Sequence, residues 1–430
     1  MRDRMTRVGA LAVAVALAAT ACGSDGDPPA ASSSAASVGD DRVLTVLLAD
    51  DWAPTAAVQR ATADFEDEHP GVRVDLQGVP FGQLLETTVA DREGPQMIDV
   101  AQGHAFAAGA QGHARPVTAR FQAAFPPGTF IPGAVDDVTW DGEQYGVPLD
   151  VNAVALIVNT TALAELGFTV DDLATWESSR AVAEAAAGEI AFTHLAASTW
   201  SSYAWVRSNG ADLFHFEDGT PVLTFDSPGM TTTYGFLGDL AEGDRLALTA
   251  DDLDSSDGFS LFRDGHLLTY ATGTWDVATL LEEPPAFEWT VVPMPRGPDT
   301  DVAHTVLGGS STFITAQADD VGLAFEYAAH LVRPEYSLAY AMDDGRLPPQ
   351  VDVLTDPFFQ DPRYAAVVEE LPNADAMKLI AFPRVQELYT LAIFDILAGE
   401  AGAAAVLSDL QSQAEVALVE DLADVAAATG

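Results

Sequence analysis

Val43-Leu-Thr-Val-Leu-Leu48, Val72-Arg-Val-Asp-Leu76 and Met97-Ile-Asp-Val-Ala101 are three short strand-like runs separated by helical sequence. The first is apolar except for Thr45 and has polar flanks, which predicts a strand buried on both faces. Asp50, Asp51 and Trp52 follow as a loop. Thr55 can cap a helix whose apolar stripe is Val58, Ala61 and Phe65, and His69-Pro-Gly71 ends it. Val72, Val74 and Leu76 alternate as a second strand. Leu84, Leu85 and Val89 mark another helix, and Met97 to Ala101 predicts a third strand. This alternation predicts a parallel sheet with helices on its faces. Ligands of such sheets sit beyond the carboxyl ends of the strands, here Asp50 to Pro54 and Gln102 to Phe106.

Further along, Val154 to Val158 has the buried-strand pattern and Asp171 to Gly188 is helical in composition. Leu323, Tyr327 and Leu331 share one helical face, which Arg333-Pro334 stops. Phe394, Leu397 and the alanine-rich tail to Ala428 read as closing helices. No repeat follows Asp41, so the body is α/β throughout. With 430 residues, 48% of them hydrophobic, the chain is long enough for two cored domains. The formal net charge is −46 and Lys378 is the only lysine. Such a surface repels phosphate backbones, which excludes nucleic acid as a partner. It reads as a solvating bias, although it could favour a cationic ligand.

Arg2, Arg4 and Arg7 precede an unbroken small and apolar run from Val8 to Ala21. A basic head before an apolar core of this length is a secretory signal, too short to span a bilayer. Leu17-Ala-Ala-Thr-Ala-Cys22-Gly23 resembles a bacterial lipoprotein signal, in which the cysteine receives lipid. A plain cleaved signal with a bystander cysteine, or an uncleaved anchor, are the other readings. Cys22 is the only cysteine, so no intrachain disulfide can form. Gly23 to Asp41 is almost all small or polar and predicts a flexible tether. No later stretch is a membrane span; the best, Leu388 to Ala398, is interrupted by Asp395.

An ordered series of motifs runs from Val43 to Leu418. Phe65-Glu-Asp-Glu-His-Pro-Gly-Val-Arg-Val74 is followed by Met97-Ile-Asp-Val100. Asp141-Gly-Glu-Gln-Tyr-Gly-Val-Pro-Leu149 leads into Val154-Ala-Leu-Ile-Val-Asn159. Then come Phe262-Arg-Asp-Gly-His-Leu-Leu-Thr-Tyr-Ala-Thr-Gly-Thr-Trp275, Trp289 to Gly297, Gly308-Gly-Ser310 and Gly345-Arg-Leu-Pro348. The series resembles the extracellular solute-binding proteins of bacterial ABC importers, in particular the sugar-binding family that includes the maltose-binding protein. The lysines that this family carries in its "Gk" motifs are absent here.

The resemblance implies a two-lobe, type II periplasmic-binding-protein-like fold with a ligand cleft between the lobes. Crossings are expected near Asp150, Val292 and Arg346. The implied organisation is a signal peptide at 1–21 and a tether at 22–41. One lobe would comprise 42–150 and 294–345, the other 151–293 and 346–430. It also implies a monomer without cofactor on the outer face of the cell membrane, anchored through Cys22, that takes up a carbohydrate and passes it to an ABC permease.

Sugar recognition needs flat apolar faces for pyranose C–H groups and planar polar groups for hydroxyls. By the resemblance, Trp275 and Trp200 fall where the family places stacking aromatics. Trp52 lies in the first strand-end loop. Trp140, Trp176, Trp205 and Trp289 are read as structural. The polar candidates are Asp50, Asp51, His104, Asn152, Asp276 and Arg346, together with the backbone at Gly309 and Ser310. Asp50 and Asp51 with tryptophans could instead cage a polyamine or choline-like cation, and related proteins bind phosphodiesters. Paired carboxylates could also serve a secreted glycan-cleaving enzyme, but in so acidic a chain such pairs arise by chance. There is no G-x-S-x-G elbow, phosphate-binding lysine loop or H-E-x-x-H pair. Asp252 to Asp264 approaches a calcium loop, but Leu253 stands at the first ligand position. No catalytic, nucleotide or metal site is expected.

Overall fold

Strand Arg42–Ala49 is buried from Leu44 onward because it has neighbours on both edges. It pairs in parallel with Val72–Val79 over its whole length, from Arg42 opposite Val72 to Ala49 opposite Val79. On its other edge it pairs in parallel with Val100–Gly103. Helix Ala56–Glu68 makes the first crossover, and the Thr55 hydroxyl accepts from the Val58 N–H at 3.4 Å. Its inward face is Ala57, Val58, Ala61, Thr62 and Phe65. The chain then turns at Gly71, whose φ of +88° is a left-handed conformation suited to glycine.

The computed structural model describes residues 42–90, 97–186, 188, 190–196, 199–217, 219–243, 245–249 and 256–429. The expected signal peptide, Cys22 and the tether lie outside the described residues, as do Asp252 and Leu253 of the calcium-loop comparison.

The third strand begins at Val100, later than the sequence pattern predicts. Asp99 explains the delay: its carboxylate accepts the Thr45 N–H at 2.9 Å, and its own N–H donates to the Thr45 carbonyl. The sheet is also mixed rather than parallel. Strand Thr305–Ile314 enters antiparallel to both Val100–Gly103 and Gly146–Ala153, and parallel to Ala374–Ala376. A strand returning from the far half of the chain completes the first sheet.

After Gly146–Ala153 only Val154 intervenes before strand Ala155–Asn159. That strand is the centre of a second sheet, flanked antiparallel by Thr269–Thr272 and Trp289–Val292. The chain therefore leaves one sheet and enters another within a single residue.

Two sets of helices cover these sheets. Against the first, Ala56–Glu68 and Val321–Leu331 meet through Phe65 and Tyr327, whose ring centroids are 5.1 Å apart, and Pro334–Asp344 joins them through Tyr336, whose hydroxyl donates to Asp64 at 2.7 Å. Thr62 and Tyr327 add a hydroxyl hydrogen bond of 2.8 Å. In the second half, Thr199–Ser208, Pro228–Glu242, Pro383–Leu397 and Ala403–Thr429 enclose Trp205, Tyr234 and Tyr389, all fully buried. Trp176 is buried and stacked on Phe236 at 4.6 Å. Trp140 packs against Phe216 and Phe382, and Arg363 lies over Trp289.

Leu47 has no exposed surface, whereas Val43 at the start of the same strand is 45% exposed. Leu47→Ala should destabilise the protein by about 2–5 kcal/mol, and Val43→Ala by no more than about 0.5 kcal/mol. Urea unfolding of the two variants checks this directly.

Candidate functional site

Strands Gly146–Ala153 and Thr305–Ile314 lie side by side, with Asn152 opposite Gly308, Val151 opposite Gly309 and Asp150 opposite Ser310. The register shifts after Ser310. Gly309 has φ +114°, and a Cβ there would lie 2.3 Å from the Asp150 carbonyl oxygen, so backbone shape and space both demand glycine. Asp150 and Asn152 are two residues apart in a fully buried strand and so share one face. Two clusters of predicted site residues grow from these two side chains.

The first cluster forms around Asp150, at the carboxyl ends of the first-sheet strands. The Ala49 N–H donates to Gln102 Oε1 at 2.8 Å, and Gln102 Nε2 donates to Ser310 Oγ at 2.9 Å. Ser310 Oγ in turn donates to Asp150 Oδ1. Burial pushes the Asp150 carboxyl above its ordinary range, with Arg346 and Ser310 pulling it back. Arg346 donates from Nε to Asp344 and from Nη2 to Asp51, each at 2.9 Å. Burial works against its charge, but Asp150, Asp344 and Asp51 together raise its pKa.

The guanidinium lies 4.8 Å from the centre of the Trp52 ring. Trp52, placed by sequence in a loop open to ligand, has no exposed surface. Arg346 covers its face, and Tyr340 meets it edge-on at 5.0 Å. It supports the arginine instead of presenting a stacking face. Asp50 is exposed, and its backbone N–H donates to the Val79 carbonyl. His104 stands at the start of helix Ala105–Ala110, with Nδ1 3.8 Å from Asp137 and the ring perpendicular to exposed Phe81 at 6.1 Å. Burial raises the Asp137 carboxyl, and His104 opposes that shift.

The second cluster forms around Asn152. Its Oδ1 accepts the Thr274 N–H at 2.9 Å, at the start of helix Thr274–Glu282. Thr274 Oγ1 donates to the Gly345 carbonyl at 2.6 Å, which ties this helix to the segment carrying Arg346. Trp275 is in the helix's first turn and Trp200 near the start of Thr199–Ser208; both rings are partly exposed. Together with Val154, His194, Tyr270 and Thr272 they enclose a cavity of about 20 Å³, room for roughly one water molecule. Asp276 is buried and accepts from Thr272 Oγ1 at 2.6 Å. Burial raises its pKa from 3.8 to about 6, with Thr272 and Trp275 opposing.

Sequence reasoning missed Gln102, Asp150, Tyr270 and His194. A signal for the first two was present: a polar side chain inside or ending an otherwise buried strand. A larger cavity of about 480 Å³, above the stacked pair Trp176 and Phe236 and rimmed by Arg180, Asp239 and Arg296, contains none of the predicted site residues. Among the described residues there is no cluster of three metal-ligating side chains, and no helix is long and apolar enough to cross a membrane.

The sequence matches the family described as bacterial extracellular solute-binding protein over residues 60–366. The chain belongs to this family. The arabinooligosaccharide-binding protein of Halalkalibacterium halodurans is 26% identical over 230 residues, about half the length of each chain. The GacH receptor of Streptomyces glaucescens, solved unliganded and with acarbose and an acarbose homolog, superposes with a TM-score of 0.75 at 18% identity. That match covers 88% of this chain and 98% of the receptor. A cyclo/maltodextrin-binding protein complexed with maltotetraose gives 0.71 at 22% identity, over 89% and 98%. The fold of this solute-binding protein is therefore the two-lobe one of the maltose-binding proteins. Membership makes it an extracellular solute-binding protein.

Because the Asp276 pKa is raised on folding, its contribution to stability is complete below the unfolded value of 3.8 and is lost as pH rises through about 6. Asp276→Asn keeps an acceptor for Thr272 without that loss. Its thermal midpoint should gain on the parent's as pH is raised from about 4 to about 7, in paired melts across that range.

Proposed function

We propose that this solute-binding protein captures an uncharged carbohydrate and delivers it to an ABC permease, tethered outside the cell through a lipid on Cys22. The observation that carries this reading is the placing of Trp200 and Trp275 beside Asn152, where the chain passes between the two sheets. The indoles offer apolar faces for the C–H side of a sugar ring, and the amide nitrogen offers donors to its hydroxyls. Asp276 and the Gly309–Ser310 backbone lie on the same elements and would complete the polar set. The names of the relatives, which bind arabinooligosaccharide and maltotetraose, support the same class.

Arg346 is held by Asp51 and Asp344 and carries no surplus charge for an anionic solute. The same contact speaks against a cation cage, because Asp51 is engaged and Trp52 is buried. A glycan-cleaving role would need two carboxylates facing one bond. Of the adjacent pair in the first loop, Asp50 is exposed and Asp51 is bound to arginine.

In this reading the lobes are 42–150 with 294–345, and 151–293 with 346–430. Strand Ala374–Ala376 ties the last part back to the first sheet through Thr305, Val306 and Leu307. The ligand binds the closed arrangement better and shifts the population toward it, and the permease reads that form. The protein acts as a monomer, without cofactor and without catalysis.

A thermal-shift screen of neutral saccharides, uronic acids, polyamines and glycerophosphodiesters tests the assignment. At a ligand concentration of about 100 times Kd, linkage adds roughly 2.7 kcal/mol. Stabilisation confined to neutral saccharides supports the reading, and stabilisation by polyamines alone overturns it. Trp275→Ala should weaken the saccharide that responds by about tenfold or more, as titration calorimetry would show. Cys22→Ser should move the protein from the membrane fraction to the medium, followed by blotting of fractionated cells.

A further inference from the structure

Gly273 and Gly308 are glycines for a reason different from that of Gly309. Gly273 has φ −110° and ψ −170°, extended backbone open to any residue. Gly308 also lies outside the left-handed region. What each lacks is room. A Cβ on Gly273 would lie 2.3 Å from Trp275 Cζ3, 2.6 Å from its Cη2 and 2.7 Å from Asn152 Oδ1. A Cβ on Gly308 would lie 2.6 Å from Trp200 Cη2, 3.0 Å from its Cζ2 and 3.7 Å from Asn152 Cβ. Each indole therefore rests its far edge on bare backbone, and Asn152 is next to both resting places.

We propose that Gly273 and Gly308 are positioning residues that set where Trp275 and Trp200 lie beside Asn152, and so fix the width of saccharide the site receives. This deepens the carbohydrate reading and rests on it. At Gly308 the closest obstructed atoms belong to the edge of one partly exposed ring, so an added methyl displaces Trp200 and leaves the strand in place; at Gly273 the methyl meets both the Trp275 edge and Asn152 Oδ1, so it displaces the ring and presses on the amide together. The ring then leaves its place beside Asn152 and alters the wall of the cavity that it lines. A narrow ring loses its stacking partner more completely than a longer oligosaccharide, which keeps contacts elsewhere.

The test uses the full chain with maltotriose, arabinotriose, lactose and glucose as probes. It follows titration calorimetry, the thermal midpoint and acrylamide quenching of tryptophan emission in Gly308→Ala, Gly273→Ala and Gly308→Ala/Trp200→Phe. Gly308→Ala should keep nearly the parent's midpoint, Gly273→Ala should lower it through the contact with Asn152 Oδ1, and both should show stronger quenching and bind the best probe about tenfold more weakly. The smaller phenylalanine should restore part of the loss, so that the pair is non-additive. Unchanged quenching, unchanged affinity in the alanine variants, or strictly additive losses would each overturn the positioning role. Should no probe bind the parent, the carbohydrate reading fails by itself, and the quenching comparison still decides the positioning.

Discussion

The pairing of Gly146–Ala153 with Thr305–Ile314 is the constraint from which the rest of the site follows. It holds Asp150 against Ser310 and Asn152 against Gly308, two contacts between segments far apart in sequence. From Ser310 a hydrogen-bond chain runs through Gln102 to the end of the first strand at Ala49. From Asn152 another runs through Thr274 to Gly345. Buried polar groups cost free energy unless they are partnered, so these chains hold the crossing in one register. An open sheet edge would tolerate slippage; this one does not.

Burial and charge act together on that frame. Asp150, Asp344 and Arg346 are partly or wholly withdrawn from water, which penalises every ionised form, yet the guanidinium lies among three carboxylates that favour its charge. Lying over Trp52, it joins the loop after the first strand to the segment after helix Pro334–Asp344. In a chain of formal charge −46, a cation at that position neutralises a local excess that would otherwise push these loops apart.

Much of the fold was legible because it depends on local pattern. The buried first strand, the Thr55 cap, the Pro-Gly stop and the alternation of strand and helix all come from side chains within a few residues of one another. The antiparallel return of Thr305–Ile314 was not legible, since period and propensity carry no information about a partner two hundred residues away. Asp99 shows a smaller version of the same limit, where a side chain took the hydrogen bond that the ladder would have used. For the site, Trp200 and Trp275 line one cavity, and Asn152 lies next to the glycines on which their rings rest. Trp52 does not join them, because whether an aromatic in a loop faces solvent or core was decided by Arg346, far along the chain. Gln102 and Asp150 were passed over because an isolated polar residue in an apolar run looks like tolerance until its partner is known.

Gly308 and Gly309 are neighbours under different kinds of steric constraint. A change at Gly309 strikes backbone and would be purged with the fold itself, whatever the protein binds. A change at Gly308 strikes only the tip of an indole, and alanine is one base substitution from any glycine codon. A lineage built on this frame can thus vary the placing of Trp200 through Gly308 while its foldability stays anchored one residue away.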